Sequence, residues 1–116
     1  MIYLASPYTH RDNNVMQNRY MQVAEATSIL IAAGGRTIYS PIVHFHPIAC
    51  LYTLPRDIEF WWDISRDMLN RADEFWVLML DEWERSIGIM RETVLALERD
   101  ITLRYLGWED RSAWPK

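Results

Sequence analysis

With 116 residues, half of them hydrophobic, the chain can build one compact core and is too short for two domains. Its 16 acidic and 12 basic residues are interspersed and leave a net charge of -4, so no basic stripe waits for a polymeric nucleic acid. Cys50 is the only cysteine, which excludes a disulfide framework and a thiolate zinc cluster and suits a reducing cytoplasm. The opening "MIYLASPY" has no charged n-region, and no apolar run approaches the roughly 18 residues of a membrane span, so neither secretion nor membrane insertion is expected.

The run "IYLA", Ile2 to Ala5, predicts a short buried strand that ends in a loop at Ser6-Pro7. From Asn13 to Ala33 the apolar residues approximate helical spacing, and Gly34-Gly35 supplies a left-handed stop. "RTIYSPIVHF" predicts a second strand running through Pro41 into a loop that extends to Cys50, because proline cannot donate to a central ladder. A helix is predicted to start near Pro55 and to run through "DIEFWWDISRDMLN". "EFWVLML" is almost continuously apolar between charges, as a central strand covered on both faces should be. "SIGIMRETVLALERD" then reads as a helix and "ITLRYL" as a last strand, while the tail "GWEDRSAWPK" is either loosely held or covers a partner surface. Strands alternating with helices imply a single α/β domain over residues 1–116, a flavodoxin- or Rossmann-like three-layer sandwich with a parallel sheet of four to five strands.

Ligands of such sheets bind beyond the carboxyl ends of the strands, which selects three loops: Ser6 to Asn14, Pro41 to Cys50 and Asp81 to Gly88. In the third loop, a helix starting near Ser86 offers free N–H groups and a partial positive charge to an anion, and Gly88 lets a ligand approach the backbone. Glu92 lies almost two turns further on an otherwise apolar helix. The bland alternative is a capping serine, a tolerated glycine and a solvated glutamate. Asp63 and Asp67, four residues apart, share a helix face and form a carboxylate pair suited to acid/base work, or a solvated face interleaved with Arg66 and Arg71. His44 and His46 alternate on a segment predicted to be extended and so face one side. No third ligand sits at recognisable spacing, which favours a buried or substrate-contacting histidine over a metal site. Tyr8, Tyr52, Phe60, Trp61, Trp62 and Trp83 are core by default, with one or two available to stack on a planar base. Dinucleotide, nucleoside triphosphate and serine-hydrolase readings lack a glycine-rich motif to carry them.

"IYLASPY", "SPIVHFHPI", "MLNRADEFWVLML" and "WERSIGIMRE", in this order and spacing, resemble the nucleoside 2-deoxyribosyltransferase superfamily, which includes the 2'-deoxynucleoside 5'-phosphate N-hydrolases. The resemblance covers most of the chain. It implies cleavage of an N-glycosidic bond without a cofactor or metal, with Glu92 as the nucleophile of a retaining mechanism and Tyr3 holding its carboxylate in line. In transferases acting on free nucleosides the slot of Ser86 resembles an aspartate that binds the 5'-hydroxyl, whereas the 5'-phosphate hydrolases carry serine. A hydroxyl and helix N–H groups donate to a phosphate that a carboxylate would repel, so a nucleoside 5'-monophosphate is the expected substrate. Ser6, Ser86, Gly88, His44, His46 and Arg11 are the expected substrate contacts. One departure stands out: the family's aspartate before the central strand falls on Ser65. Either the helix is offset so that Asp63 or Asp67 takes over, or the acid is absent. The resemblance further implies a homodimer whose sites are completed by the neighbouring subunit. Two rivals remain: a transferase exchanging bases through the same glutamate, and a nucleotide-binding domain that has lost catalysis.

Overall fold

Four parallel strands form the sheet: β1 (Ile2–Ala5), β2 (Ile38–Tyr39), β3 (Glu74–Met79) and β4 (Thr102–Gly107), in the order β2-β1-β3-β4. The computed structural model describes residues 1–115, and Lys116 lies outside the described residues. Register pairs Tyr3 with Tyr39 on one side and with Phe75 on the other. Alternation along β1 then sorts the core. Ile2 and Leu4 join a cluster under α1 (Asn13–Ala33) and α2 (Pro41–Tyr52), while Tyr3 and Ala5 join one under α3 (Ile58–Asn70) and α4 (Ile87–Glu98). Helices thus cover both faces of a parallel sheet, the three-layer arrangement read from the sequence.

Most boundaries follow local chemistry. Gly34 and Gly35 both have positive φ, and the Gly34 N–H bonds back to Ile31 to close α1. Asp57 and Ser86 cap α3 and α4 by accepting from the N–H groups of Phe60 and Ile89, each at 3.2 Å.

Two expectations are corrected. The second strand is only two residues long, and the segment predicted as the loop from Pro41 to Cys50 is helix α2. Ser40 accepts from the Val43 N–H at 3.2 Å, and Pro41 occupies the first turn, where its missing N–H costs nothing. Ile42, Phe45 and Ala49 then bury at helical spacing. Over its described residues the tail is not loosely held but packs on its own chain. Trp114 is buried and donates from Nε1 to the Gly107 carbonyl at 2.8 Å, and Arg111 reaches Glu25 at 3.0 Å.

The chain passes from β1 to β2 on one side and returns to β3 on the other, so the connections diverge above β1 and β3. A crevice at the carboxyl ends of the strands is the geometric consequence.

Candidate active site

A cavity of about 330 Å³ opens at that divergence, lined by all three strand-end segments and by the starts of α3 and α4. Glu92 lines it, and the fully buried Tyr3, behind the wall, donates a hydrogen bond from its hydroxyl to the Glu92 carboxylate. Tyr3 is carried there by the alternation of β1, and Glu92 falls on the buried stripe of α4 between Ile89 and Ala96. Glu92 is 7% exposed. Burial pushes its carboxyl from an ordinary 4.5 up to about 7, and the Tyr3 hydrogen bond only partly opposes this. Tyr3 itself is held well above the ordinary tyrosine value, first by burial and next by the charge of Glu92, while the Ser65 hydroxyl acts in the opposite direction. Tyr39, whose ring lies 5.7 Å from that of Tyr3, is pushed up to about 12 by burial and then by Glu92. A carboxylate poised near neutrality and aligned by a neutral phenol is chemically able to act as a nucleophile or a base.

Three further features share the cavity with Glu92. Ser6 is 6% exposed, and its Oγ is the one buried side-chain oxygen or nitrogen without a partner among the described residues. Such an orphan marks a place where a ligand or water completes the bonding. An aromatic wall is built from Tyr8, Phe45 and Trp61, with Phe45 and Trp61 stacked at 4.7 Å between ring centres. The start of α4 closes another side, with Ser86 as its cap and Gly88 in its first turn. Gly88 does not need positive φ. A Cβ there would meet Ile58 Cδ1 at 3.5 Å and Ser86 Oγ at 3.7 Å, both ordinary contacts. The fold therefore tolerates alanine, and only a ligand lying against this turn would not. Gly88→Ala is expected to leave the melting temperature unchanged or raised, by up to about 1 kcal/mol of helix propensity, and to weaken ligand binding about tenfold. A calorimetric titration beside a thermal melt checks both, and unchanged affinity would show that no ligand lies there.

The expected contacts divide. Glu92, Ser6, Ser86 and Gly88 line the cavity and Tyr3 is bonded to Glu92 from behind it, whereas Asp63, Asp67, His44, His46 and Arg11 neither line the cavity nor bond to Glu92. Helix α3 is regular, so Ser65 faces inward, buried, while Asp63 and Asp67 point outward to Arg66 at 3.0 Å and Arg71 at 3.3 Å. At about 100° per residue, no offset brings either aspartate in. Asp73 binds the N-terminal amine at the other end of the strands. The two histidines fail to share a side because they lie on a helix, not an extended segment. His44 is exposed, while His46 is buried behind the aromatic wall, with Nδ1 2.5 Å from the Tyr8 hydroxyl and Nε2 2.8 Å from Gln17 Oε1. Burial, followed by the charge of Arg56, pushes the His46 pKa below its ordinary value.

Arg19, Arg56 and Asp57 also line the cavity, and motif reasoning missed them. Arg19 had a visible signal, a charged residue on the stripe Met16, Arg19, Val23, Ala26 and Leu30 that α1 buries. The other two occupy the turn before α3, where no spacing marks them. Among the described residues, no three His, Cys, Asp or Glu side chains converge on a metal-sized site, and no helix is long and apolar enough to cross a membrane.

A family model described as "Domain of unknown function (DUF1937)" matches residues 1–107. No match to the chain is found among curated proteins.

Proposed function

We propose, for a chain that belongs to the DUF1937 family and takes no activity from that family's description, that the cavity hydrolyses the N-glycosidic bond of a (deoxy)nucleoside 5'-monophosphate. The observation that carries this reading is the buried Tyr3–Glu92 pair at the switch point of the sheet, with an aromatic wall on one side and a helix start on the other. The volume of about 330 Å³ suits a single nucleotide and sits at the lower end of ligand sites. In this reading the base lies against Tyr8, Phe45 and Trp61, and the phosphate faces Ser86 and Gly88. The Glu92 carboxylate attacks the anomeric carbon, the base departs with the electron pair of the broken bond, and water hydrolyses the resulting ester.

Ser65 stands where the sequence resemblance implies an acid. Asp57 and Glu82 are the described carboxylates that share the wall with Glu92, and Asp57 lies on the side of the aromatic wall, at the start of α3. We assign the departing base to Asp57 instead of Asp63 or Asp67. Asp57→Asn, which keeps a capping side chain, is expected to slow base release at least about tenfold. Asp63→Asn and Asp67→Asn should change it less than about twofold, because both are exposed and paired at the surface. Equal effects at all three positions would remove Asp57 from this role.

Chromatographic detection of free base from a panel of nucleoside 5'-monophosphates tests the activity, and no release from any member would end the reading. Adding a second free base separates the transferase alternative, which would yield a new nucleotide.

A homodimer is part of the proposal. Ile87, Met90, Val94 and Leu97 form a stripe along α4, between 51% and 63% exposed, beside the exposed Phe60 and Ile64 of α3. Ile87 also lines the cavity, so a second copy seated on this stripe would reach the mouth of the site. Val94→Glu should convert a dimer to a monomer in sedimentation, and an unchanged mass would exclude this face. A reducing cytoplasm is the compartment we assign to such a nucleotide enzyme with one exposed cysteine.

A further inference from the structure

We infer that Arg19 reads the charge of the ligand, and that its counter-ion is a phosphomonoester dianion entering the cavity. This rests on the nucleotide reading above and adds a residue to it. Arg19 is 8% exposed, yet its three hydrogen bonds all end on backbone carbonyls: Tyr8 at 3.3 Å, Thr9 at 3.2 Å and Asp81 at 3.5 Å. Carbonyl dipoles orient a guanidinium without neutralising it, and a buried cation is costly unless an anion meets it. No ion pair among the described residues includes Arg19, nor Arg56 on the same wall, whose guanidinium donates to the neutral Asn13 Oδ1 at 2.9 Å.

In a chain of net charge -4, two guanidinium groups without carboxylate partners on one cavity wall are not a general excess of base. The carboxylates that share the wall are otherwise engaged. Asp57 caps α3, Glu82 lies 3.8 Å from Arg85, and Glu92 is bonded to Tyr3. The second observation is independent: the unpartnered Ser6 hydroxyl is buried in the same cavity, which also receives the start of α4. A phosphate can take two parallel bonds from a planar guanidinium, a third from a serine hydroxyl and others from helix N–H groups. Arg19 also ties the loop after β1 to the loop after β3, a task an uncharged donor could perform, so charge-specific recognition is what must be measured.

The test is calorimetric titration of the full chain with a nucleoside 5'-monophosphate, the matching nucleoside and inorganic phosphate, with acetate as a second competitor. The wild type should bind the monophosphate at least about tenfold more tightly than the nucleoside, and phosphate but not acetate should displace it. Arg19→Gln should reduce that preference about 10- to 100-fold, the range for losing a charged hydrogen bond. Arg19→Lys should retain part of it, and Arg66→Gln, at the exposed pair with Asp63, should retain all of it. An unchanged preference in Arg19→Gln, or displacement by acetate as effective as by phosphate, overturns the inference. Should the glutamine variant not fold, the preference is read in Arg19→Lys, where no decrease overturns it equally. Because the readout is binding, a protein that prefers the monophosphate yet releases no base ends the glycosidase reading and supports the anion site.

Discussion

Glu92→Gln is expected to abolish base release, by at least about 10³-fold, and at the same time to make the protein more stable at pH 8. The two effects share one cause. The Glu92 carboxyl titrates near 7 in the folded chain, against an ordinary 4.5, so the folded state holds a proton that the unfolded state has released between these values. Stability therefore falls as pH rises from about 4.5 through about 7, by roughly 3 kcal/mol if the whole difference is expressed. Glutamine keeps an acceptor for the Tyr3 hydroxyl and removes the ionisation. Thermal melts should show the wild type losing several degrees between pH 5 and pH 8 relative to the variant. Equal pH dependence in both proteins would mean that Glu92 is not buried as a charge in solution.

Tyr3→Phe should act on the same carboxylate from the other direction. The Tyr3 hydroxyl lowers the Glu92 pKa against the pull of burial, so its removal lets that pKa climb above about 7. Less of the enzyme then carries the ionised nucleophile at neutral pH, and the nucleophile loses the partner that aligns it. Base release near pH 6.5 should drop about 10- to 100-fold, with the acid limb of the rate profile displaced to higher pH and partial recovery near pH 8.5. A uniform loss with no displacement of the limb would leave Tyr3 an ordinary packing residue.

Much of the scaffold could be read locally. β3 is announced by a continuous apolar run, α1 is closed by a glycine pair, and α4 is opened by a serine cap; each signal lies within a few residues of what it controls. Helix α2 escaped because Ser40-Pro41 carries two messages, the end of a strand and the start of a helix. Only packing of Ile42, Phe45 and Ala49 against α1 and β1 decides between them. Misreading that helix also misplaced His44 and His46, whose side-sharing depended on an extended backbone. The Tyr3–Glu92 bond joins residues 89 apart, and no local pattern encodes it; the family resemblance alone suggested it. At about 100° per residue a regular helix turns Asp63 and Asp67 away from Ser65, and because α3 is regular the inward slot is left to serine.

The central proposal is that Glu92 bonds to the sugar. A nucleoside 5'-monophosphate fluorinated at the 2'-position of its sugar slows both halves of a retaining reaction, so the glycosyl-enzyme should accumulate. Digestion and peptide mass spectrometry of protein incubated with it are predicted to find the sugar phosphate on the peptide carrying Glu92 and absent from Glu92→Gln. Stoichiometric release of the base, with no mass added at Glu92, would contradict the account.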